Sequence, residues 1–226
     1  MRIPRKFIRR ALAYLGGGVV AFYLICTFAL FSIRSNAPTV TAVQAQRWVE
    51  AQVEGEDYDP QHRWTPLAQI PKLMQHSVIA AEDGAFYDHN GVDMEELGHV
   101  LSGWTTRGER LRGASTISQQ LVKNLFLTTW RSPIRKLIEF PLVFLAEAIL
   151  GKDRILELYL NEVEWGSGVW GVAAAAEHYY SLPLEALSRD QAARLAACLP
   201  APRSRRPEQM NEYSHVILER MKGRGW

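Results

Sequence analysis

Two glutamates, Glu82 and Glu139, stand in settings where a carboxylate could move a proton or hold a charge. Glu82 closes the apolar run VIAA and precedes the loop EDGAFYDHNG, which adds Asp83, Phe86 and His89. An acid projecting from an apolar helix end into a cleft is pushed up in pKa, toward the range useful to a general base. Taken alone, a surface acid at a helix end is the commoner reading of such a residue. Glu139 lies in the apolar stretch RKLIEFPLVFLAEAIL, four residues after Arg135. That spacing equally describes an ordinary helix ion pair. Zinc chemistry finds no support, because His76, His89 and His99 lack a recurring ligand spacing. A serine hydrolase is excluded by the lack of a G-x-S-x-G elbow.

A second constellation fills GASTISQQLVKNLF, residues 113–126. Thr116 followed by Gln119 predicts a capping box at a helix start, with Ser115 as the alternative cap. At helical spacing Thr116, Gln120 and Lys123 share one face, while Ile117, Leu121 and Leu125 share a neighbouring one. Backbone donors at a helix N-terminus, hydroxyls, amides and an ammonium together suit an anion. A solvated amphipathic helix explains the same residues equally well.

Charge distribution sharpens the choice. Residues 35–226 hold 20 Lys and Arg against 24 Asp and Glu, a net of −4. Within that acidic region, residues 107–136 carry Arg107, Arg110, Arg112, Lys123, Arg131, Arg135 and Lys136 against Glu109 alone, a net of +6. An acidic domain without a nucleic-acid motif is a poor partner for DNA or RNA. A compact phosphate on a membrane-side ligand fits the cluster better. The plainer reading is a solvated basic face steadied by lipid headgroups.

The elements that must position these groups follow from pattern. Arg2, Arg5, Lys6, Arg9 and Arg10 precede the uncharged run Ala11–Ile33. As a helix that run reaches about 34 Å, enough to cross a bilayer core and longer than a cleavable signal's apolar region. With only Arg34 just beyond it, the positive-inside rule sets the N-terminus in the cytoplasm and the rest outside. Residues 34–59 read as a connector holding a short helix around TAVQAQRWVEAQ. Helices are expected from Pro71 to Glu82, over 94–106, from Thr116, through Arg135–Leu150 with Pro141 starting or kinking it, and over Lys152–Glu162. Further helices are expected at VAAAAEHYY, from the Ser188–Gln191 capping box to Pro200, and over 208–222. WGSGVWG lacks the strand context of a nucleotide loop. Cys26 in the span and Cys198 in an apolar helix predict no disulfide. The fold class is mainly α.

The blocks IAAEDGAFYDHNGVD, GASTISQQLVKNLFL, RKLIE and KDRILELYLNEVEWGSGVWGVAAAAEHYY occur in that order. Together they resemble the four main motifs of the peptidoglycan glycosyltransferases, in particular the monofunctional biosynthetic transglycosylases, over roughly residues 60–200. The resemblance implies a lysozyme-like helical domain over 60–226 with a small membrane-associated jaw at about 92–112. It implies a single-pass inner-membrane protein with its catalytic domain in the periplasm. Glu82 would deprotonate the 4-hydroxyl of an acceptor lipid II. That hydroxyl would displace undecaprenyl pyrophosphate from the growing glycan with inversion. Asp83, Phe86 and His89 match the first block; Gly113, Ser115, Thr116, Gln119, Gln120, Lys123 and Asn124 match the second. Arg131, Arg135, Lys136 and Glu139 match the third, where cations hold the leaving diphosphate and the glutamate assists. Lys152, Tyr159 and Asn161 match the fourth, more for structure than for chemistry. No cofactor is implied beyond a divalent cation such as magnesium; partners would be lipid II, the lipid-linked glycan, membrane lipids, and cell-wall synthesis or division proteins. Gly84 and Ile138 depart from the pattern, and Ile138 leaves open how many cations clamp the diphosphate. A glycan hydrolase using Glu82 and Glu139 as its pair of acids is the main rival. It has no use for a dense phosphate-binding cluster. A non-catalytic wall scaffold is the other rival, and it would not need an acid beside such a loop.

Overall fold

The computed structural model describes residues 5–96, 98, 115–130 and 132–226. Most of the expected jaw and of the helix expected over 94–106 lies outside the described residues, as do Gly113 and Arg131.

Helix α1, Arg5–Ile33, contains a stretch of 25 residues, Arg9–Ile33, with mean hydropathy 2.0, long and apolar enough to cross a membrane. Its first turns expose Phe7, Leu12, Tyr14, Leu15, Val19 and Val20. The last turns differ. Cys26, Leu30 and Ile33, spaced to share one face, are buried in the protein core. Tyr23 Oη donates to the carbonyl of Ile138 (3.0 Å). Arg154 closes the end by donating to the carbonyls of Ile33 and Asn36, which satisfies acceptors that a helix end leaves open.

Helix α2, Ala42–Glu54, starts at a Thr41–Gln44 capping box. It docks through Gln44 on Glu162 (3.1 Å) and Arg47 on Glu164 (2.9 Å). Helices α3 (Lys72–Glu82), α4 (Ile117–Phe126), α5 (Pro133–Leu150) and α6 (Lys152–Glu162) follow, then α7 (Val172–Tyr180), α8 (Arg189–Cys198) and α9 (Asn211–Gly223). The core gathers the apolar stripes of α3 to α9, with Val78, Leu121, Leu142, Ile155, Leu158, Leu195 and Ile217 fully buried. Small residues in α7 and α8, among them Ala175, Ala176, Ala192 and Ala196, let helices approach closely at that centre. The glycine-rich WGSGVWG forms a hairpin. Its strands β2 (Glu164–Gly166) and β3 (Val169–Trp170) pair antiparallel, and β1 (Gln61–His62) joins β3 in parallel with Gln61 opposite Val169. Trp165 and Trp170 are buried beneath it.

Helix α5 continues through Pro141 instead of breaking there. Proline deprives a helix of one donor and kinks or weakens it locally. Three residues before Pro141, α1 docks on α5, with Tyr23 Oη donating to the Ile138 carbonyl.

Candidate active site

Helix α3 runs from Pro71 at its N-cap to Glu82, so the apolar VIAA packs inward and the acid falls on the last residue. Glu82 is half-buried as a residue, but its carboxylate is sunk. Oε2 accepts from Gln120 Nε2 at 2.6 Å. Oε1 is buried and has no hydrogen-bond partner among the described residues. Burial pushes the Glu82 carboxyl above the ordinary carboxylate range, and neighbouring Asp83 adds to the push. The Gln120 hydrogen bond and the positive charges of Lys123 and Arg205 oppose it. A protein acid with one oxygen unpaired is equipped to take a proton.

Gln120 is oriented from behind. Tyr159 Oη donates to Gln120 Oε1 at 3.1 Å, which leaves the amide nitrogen to face Glu82. Tyr159 is buried, and its phenol is pushed well above its usual pKa by that burial and by the charges of Glu82 and Asp83, so it remains a donor. Sequence reasoning gave Tyr159 a structural role; its aim at Gln120 depends on α4 and α6 packing together, which no local signal reveals.

Helix α4 starts as expected. Thr116 Oγ1 accepts from the Gln119 amide (3.2 Å), and Gln119 Oε1 accepts from the Thr116 amide (3.1 Å). The cap is Thr116, while Ser115 Oγ accepts from Lys136 at 3.4 Å. Asp83, 6% exposed, supplies a carboxylate at the same helix start: Oδ2 accepts the Ile117 amide at 2.9 Å. Negative charge there is favoured by the helix dipole. His89 Nδ1 accepts from the Gly91 amide (3.1 Å), so its Nε2 carries the proton given to Asp83 Oδ1 (2.9 Å). Gly91 also accepts from Thr116 Oγ1 at 2.6 Å. At φ +89°, with Val143 2.5 Å from where a Cβ would stand, only glycine fits. These contacts lock the first block onto the second. Phe86 is buried, with the Lys152 ammonium 4.5 Å from its ring centre, and Asn124 donates to the Gln120 carbonyl. Both therefore act on the frame of the site.

Three residues beyond Gln120 on α4, Lys123 makes no hydrogen bond or ion pair among the described residues. Its pKa is lowered by burial and by Arg135 and Lys136, against the pull of Glu139 and Glu82. Glu139, 2% exposed, is held on both oxygens: Arg135 at 2.6 Å on Oε2 and Lys136 at 2.6 Å on Oε1. Ser118 and Lys152 both donate to Glu147 Oε1, at 2.5 and 2.8 Å, tying α4 to α5 and α6. The structure thus brings together Glu82, Asp83, His89, Ser115, Thr116, Gln119, Gln120, Lys123, Arg135, Lys136 and Glu139. The sequence offered Ser118 as one of three hydroxyls at this helix start but did not single out Glu147 or Arg205. Neither has a local pattern that separates it from an ordinary polar residue. Among the described residues there is no set of three His, Cys, Asp or Glu side chains suited to a metal ion.

A buried Glu82 oxygen on α3 and the Lys123 ammonium on α4, both unpaired among the described residues, with two further cations on α5, suit a reaction that takes a proton at one end and receives negative charge at the other. Comparison with known proteins gives the family. The profile of the family described as Transglycosylase matches residues 49–222. A biosynthetic peptidoglycan transglycosylase of Chromohalobacter salexigens is 41% identical over 201 residues, covering 89% of this chain and 86% of that protein. The protein of that name from Pseudomonas aeruginosa is 40% identical over 199 residues, 88% of this chain and 83% of its own length. That of Brucella suis biovar 1 is 45% identical over 162 residues, 72% of each.

Proposed function

The chain belongs to the transglycosylase family and is a peptidoglycan glycosyltransferase, and on that premise we propose that it elongates glycan strands from lipid II. Glu82 Oε1 takes the proton of the acceptor's 4-hydroxyl. The freed oxygen bonds to the anomeric carbon of the lipid-linked glycan as that carbon's bond to the diphosphate oxygen breaks. A single displacement of this kind inverts the anomeric centre. The electron pair leaves on undecaprenyl pyrophosphate, whose charge grows as the bond breaks. Lys123, Arg135 and Lys136 stabilise it there, together with Ser115 and the donors at the start of α4. Gln119, Thr116, Asp83 and His89 hold the frame. Gly113 and Arg131 belong to the same proposed diphosphate site on their match to the family blocks. Magnesium, where used, would accompany the diphosphate.

The observation that carries this reading is that a buried Glu82 oxygen and the Lys123 ammonium, each without a hydrogen-bond partner among the described residues, stand close enough to act on one another. It also weighs against the hydrolase, since both oxygens of Glu139 are already taken. For location, we propose a bacterial inner membrane with the domain on the periplasmic side. Exposed Ile134, Leu137 and Phe144 on α5, the helix that packs against α1, extend the apolar surface of the span and support that placement. A reporter active only outside the cytoplasm, fused after Trp226, is expected to be active; activity of a cytoplasm-specific reporter instead would reverse the topology. The reaction itself is tested with purified full-length protein and labelled lipid II. Polymer on a gel, with finished lipid-free glycan left uncut, is the expected result. Cutting of finished glycan without polymer would replace the polymerase with the hydrolase.

A further inference from the structure

The C-terminal helix lies outside the four motif blocks, yet its side chains reach the end of the helix that carries Glu82. A helix leaves its last carbonyls without backbone partners. At the end of α3, Tyr213 Oη donates to the Ala81 carbonyl at 3.1 Å, and Arg220 Nη1 donates to the Ala80 carbonyl at 3.0 Å. These are the two residues before Glu82. A cation on the Ala80 carbonyl also matches the negative end of the helix dipole. One turn back, Ser77 Oγ contacts Met221 Sδ at 3.4 Å, and Met221 and Ile217 are fully buried.

The residue after Asp83 is engaged from the same side. A Cβ built on Gly84 would lie 2.7 Å from Arg224 Nη2, so the guanidinium occupies the space that a side chain would need. Arg224 also lies over the ring of Trp226, which stacks on His76 of α3 at 4.4 Å. Arg205 stacks over Tyr213 and donates to the Ala197 carbonyl at 2.8 Å.

We infer that α9 is a positioning element of the catalytic site, in which Tyr213 and Arg220 fix the last turn of α3 and thereby aim Glu82 Oε1. The inference rests on Glu82 being the base. Among the described residues the carboxylate has only one hydrogen bond, from Gln120, so its direction depends on the backbone beneath it. The groups acting on it are Lys123 from α4, Arg205 from the loop before α9, adjacent Asp83, and Tyr159 from α6. Loosening the last turn admits water to Oε1 and brings the carboxyl back toward its ordinary range.

The test uses Tyr213→Phe and Arg220→Gln in the full-length protein, with Met221→Ala as the packing control that leaves both carbonyl bonds in place. In the first two, kcat on lipid II is expected to fall by roughly tenfold to a hundredfold with KM unchanged, since a small misplacement of a reacting group carries such a cost. The acidic limb of the kcat profile should move to lower pH. Arg220→Lys, which keeps a donor, should recover part of both. Met221→Ala should lower Tm and leave the limb where it is. A substrate-free readout separates this inference from the polymerase reading. The side-chain carboxyl of Glu82, identified in 13C spectra by its loss in Glu82→Gln, should titrate lower in Tyr213→Phe and Arg220→Gln than in wild type. Unchanged titration and unchanged kcat in both variants would overturn the brace, and so would an equal shift in Met221→Ala. Wild type that makes no polymer would overturn the polymerase reading, while the titration still judges the brace.

Discussion

Glu82 and Glu139 are both drawn inward near Lys123, and they are served in opposite ways. Glu139 has a guanidinium on one oxygen and an ammonium on the other, each at 2.6 Å. Glu82 has a neutral amide on one oxygen and nothing among the described residues on the other. A carboxylate matched on both oxygens holds two cations in register and has little reason to exchange a proton. One left half-satisfied in a buried place keeps a raised pKa and an open acceptor. The difference fits the proposed roles, charge placement for Glu139 and proton transfer for Glu82, although the sequence presents both as glutamates beside apolar runs.

The strongest way to break this contrast is to remove the open acceptor. Glu82→Gln keeps the size and the contact with Gln120 but cannot take a proton. Polymer synthesis should fall by at least about a hundredfold in a folded protein, the scale of a lost general base. Near-normal polymer yield from a folded Glu82→Gln would remove Glu82 from the role. Next in size is Lys123→Ala. Loss of a cation aimed at a leaving diphosphate should cost about 2 to 4 kcal/mol of transition-state stabilisation. Lys123→Arg should restore only part, because a planar fork does not replace a compact ammonium. Unchanged turnover of labelled lipid II in Lys123→Ala would leave the diphosphate to Arg135 and Lys136.

Smaller still is the expected effect of Glu139→Gln. Arg135 and Lys136 remain, with side chains 20% and 34% exposed, so water shares in replacing the lost charge. Stability should fall by roughly 1 to 3 kcal/mol, discounted for that exposure, and turnover by about tenfold from misplaced cations. A Glu139→Gln loss as deep as that of Glu82→Gln would erase the distinction drawn between the two acids. Thermal melts and polymer assays on the same preparations measure both effects.

Much of this site is legible from local pattern, because its parts obey short-range rules. Thr116 and Gln119 are three residues apart and close a capping box whatever the fold around them. Leu121 and Leu125 fall on the core face because helical spacing puts them there. Glu82 follows an apolar turn, which marks a helix end. The contacts that give these residues their duties span long separations: Tyr159 to Gln120, Asp83 to the Ile117 amide, and Arg220 to Ala80. No periodicity encodes them, since each depends on how two helices cross. For Pro141 the local rule allows a start or a kink; α5 starts earlier, at Pro133, and runs through it.

The smallest effect concerns stability, and it separates the two acids by sign. Glu82 has its pKa raised in the folded protein, chiefly by burial. Between its unfolded value, about 4.3, and that raised value, the native state binds more protons than the unfolded state. Stability therefore falls as pH rises through that window. At neutral pH wild type carries the cost of a buried charge that Glu82→Gln does not have. The inactive variant should thus melt a few degrees higher than wild type near pH 7 to 8. Its advantage should shrink as pH falls and disappear below about pH 4, where both proteins bury a neutral group. Glu139→Gln should show a deficit near neutrality, because it breaks an ion pair instead of relieving one. Paired melting curves across pH for the two variants read this directly. A Glu82→Gln protein that is less stable than wild type at pH 7 would mean that Lys123 and Arg205 outweigh burial, and that Glu82, like Glu139, is a matched charge.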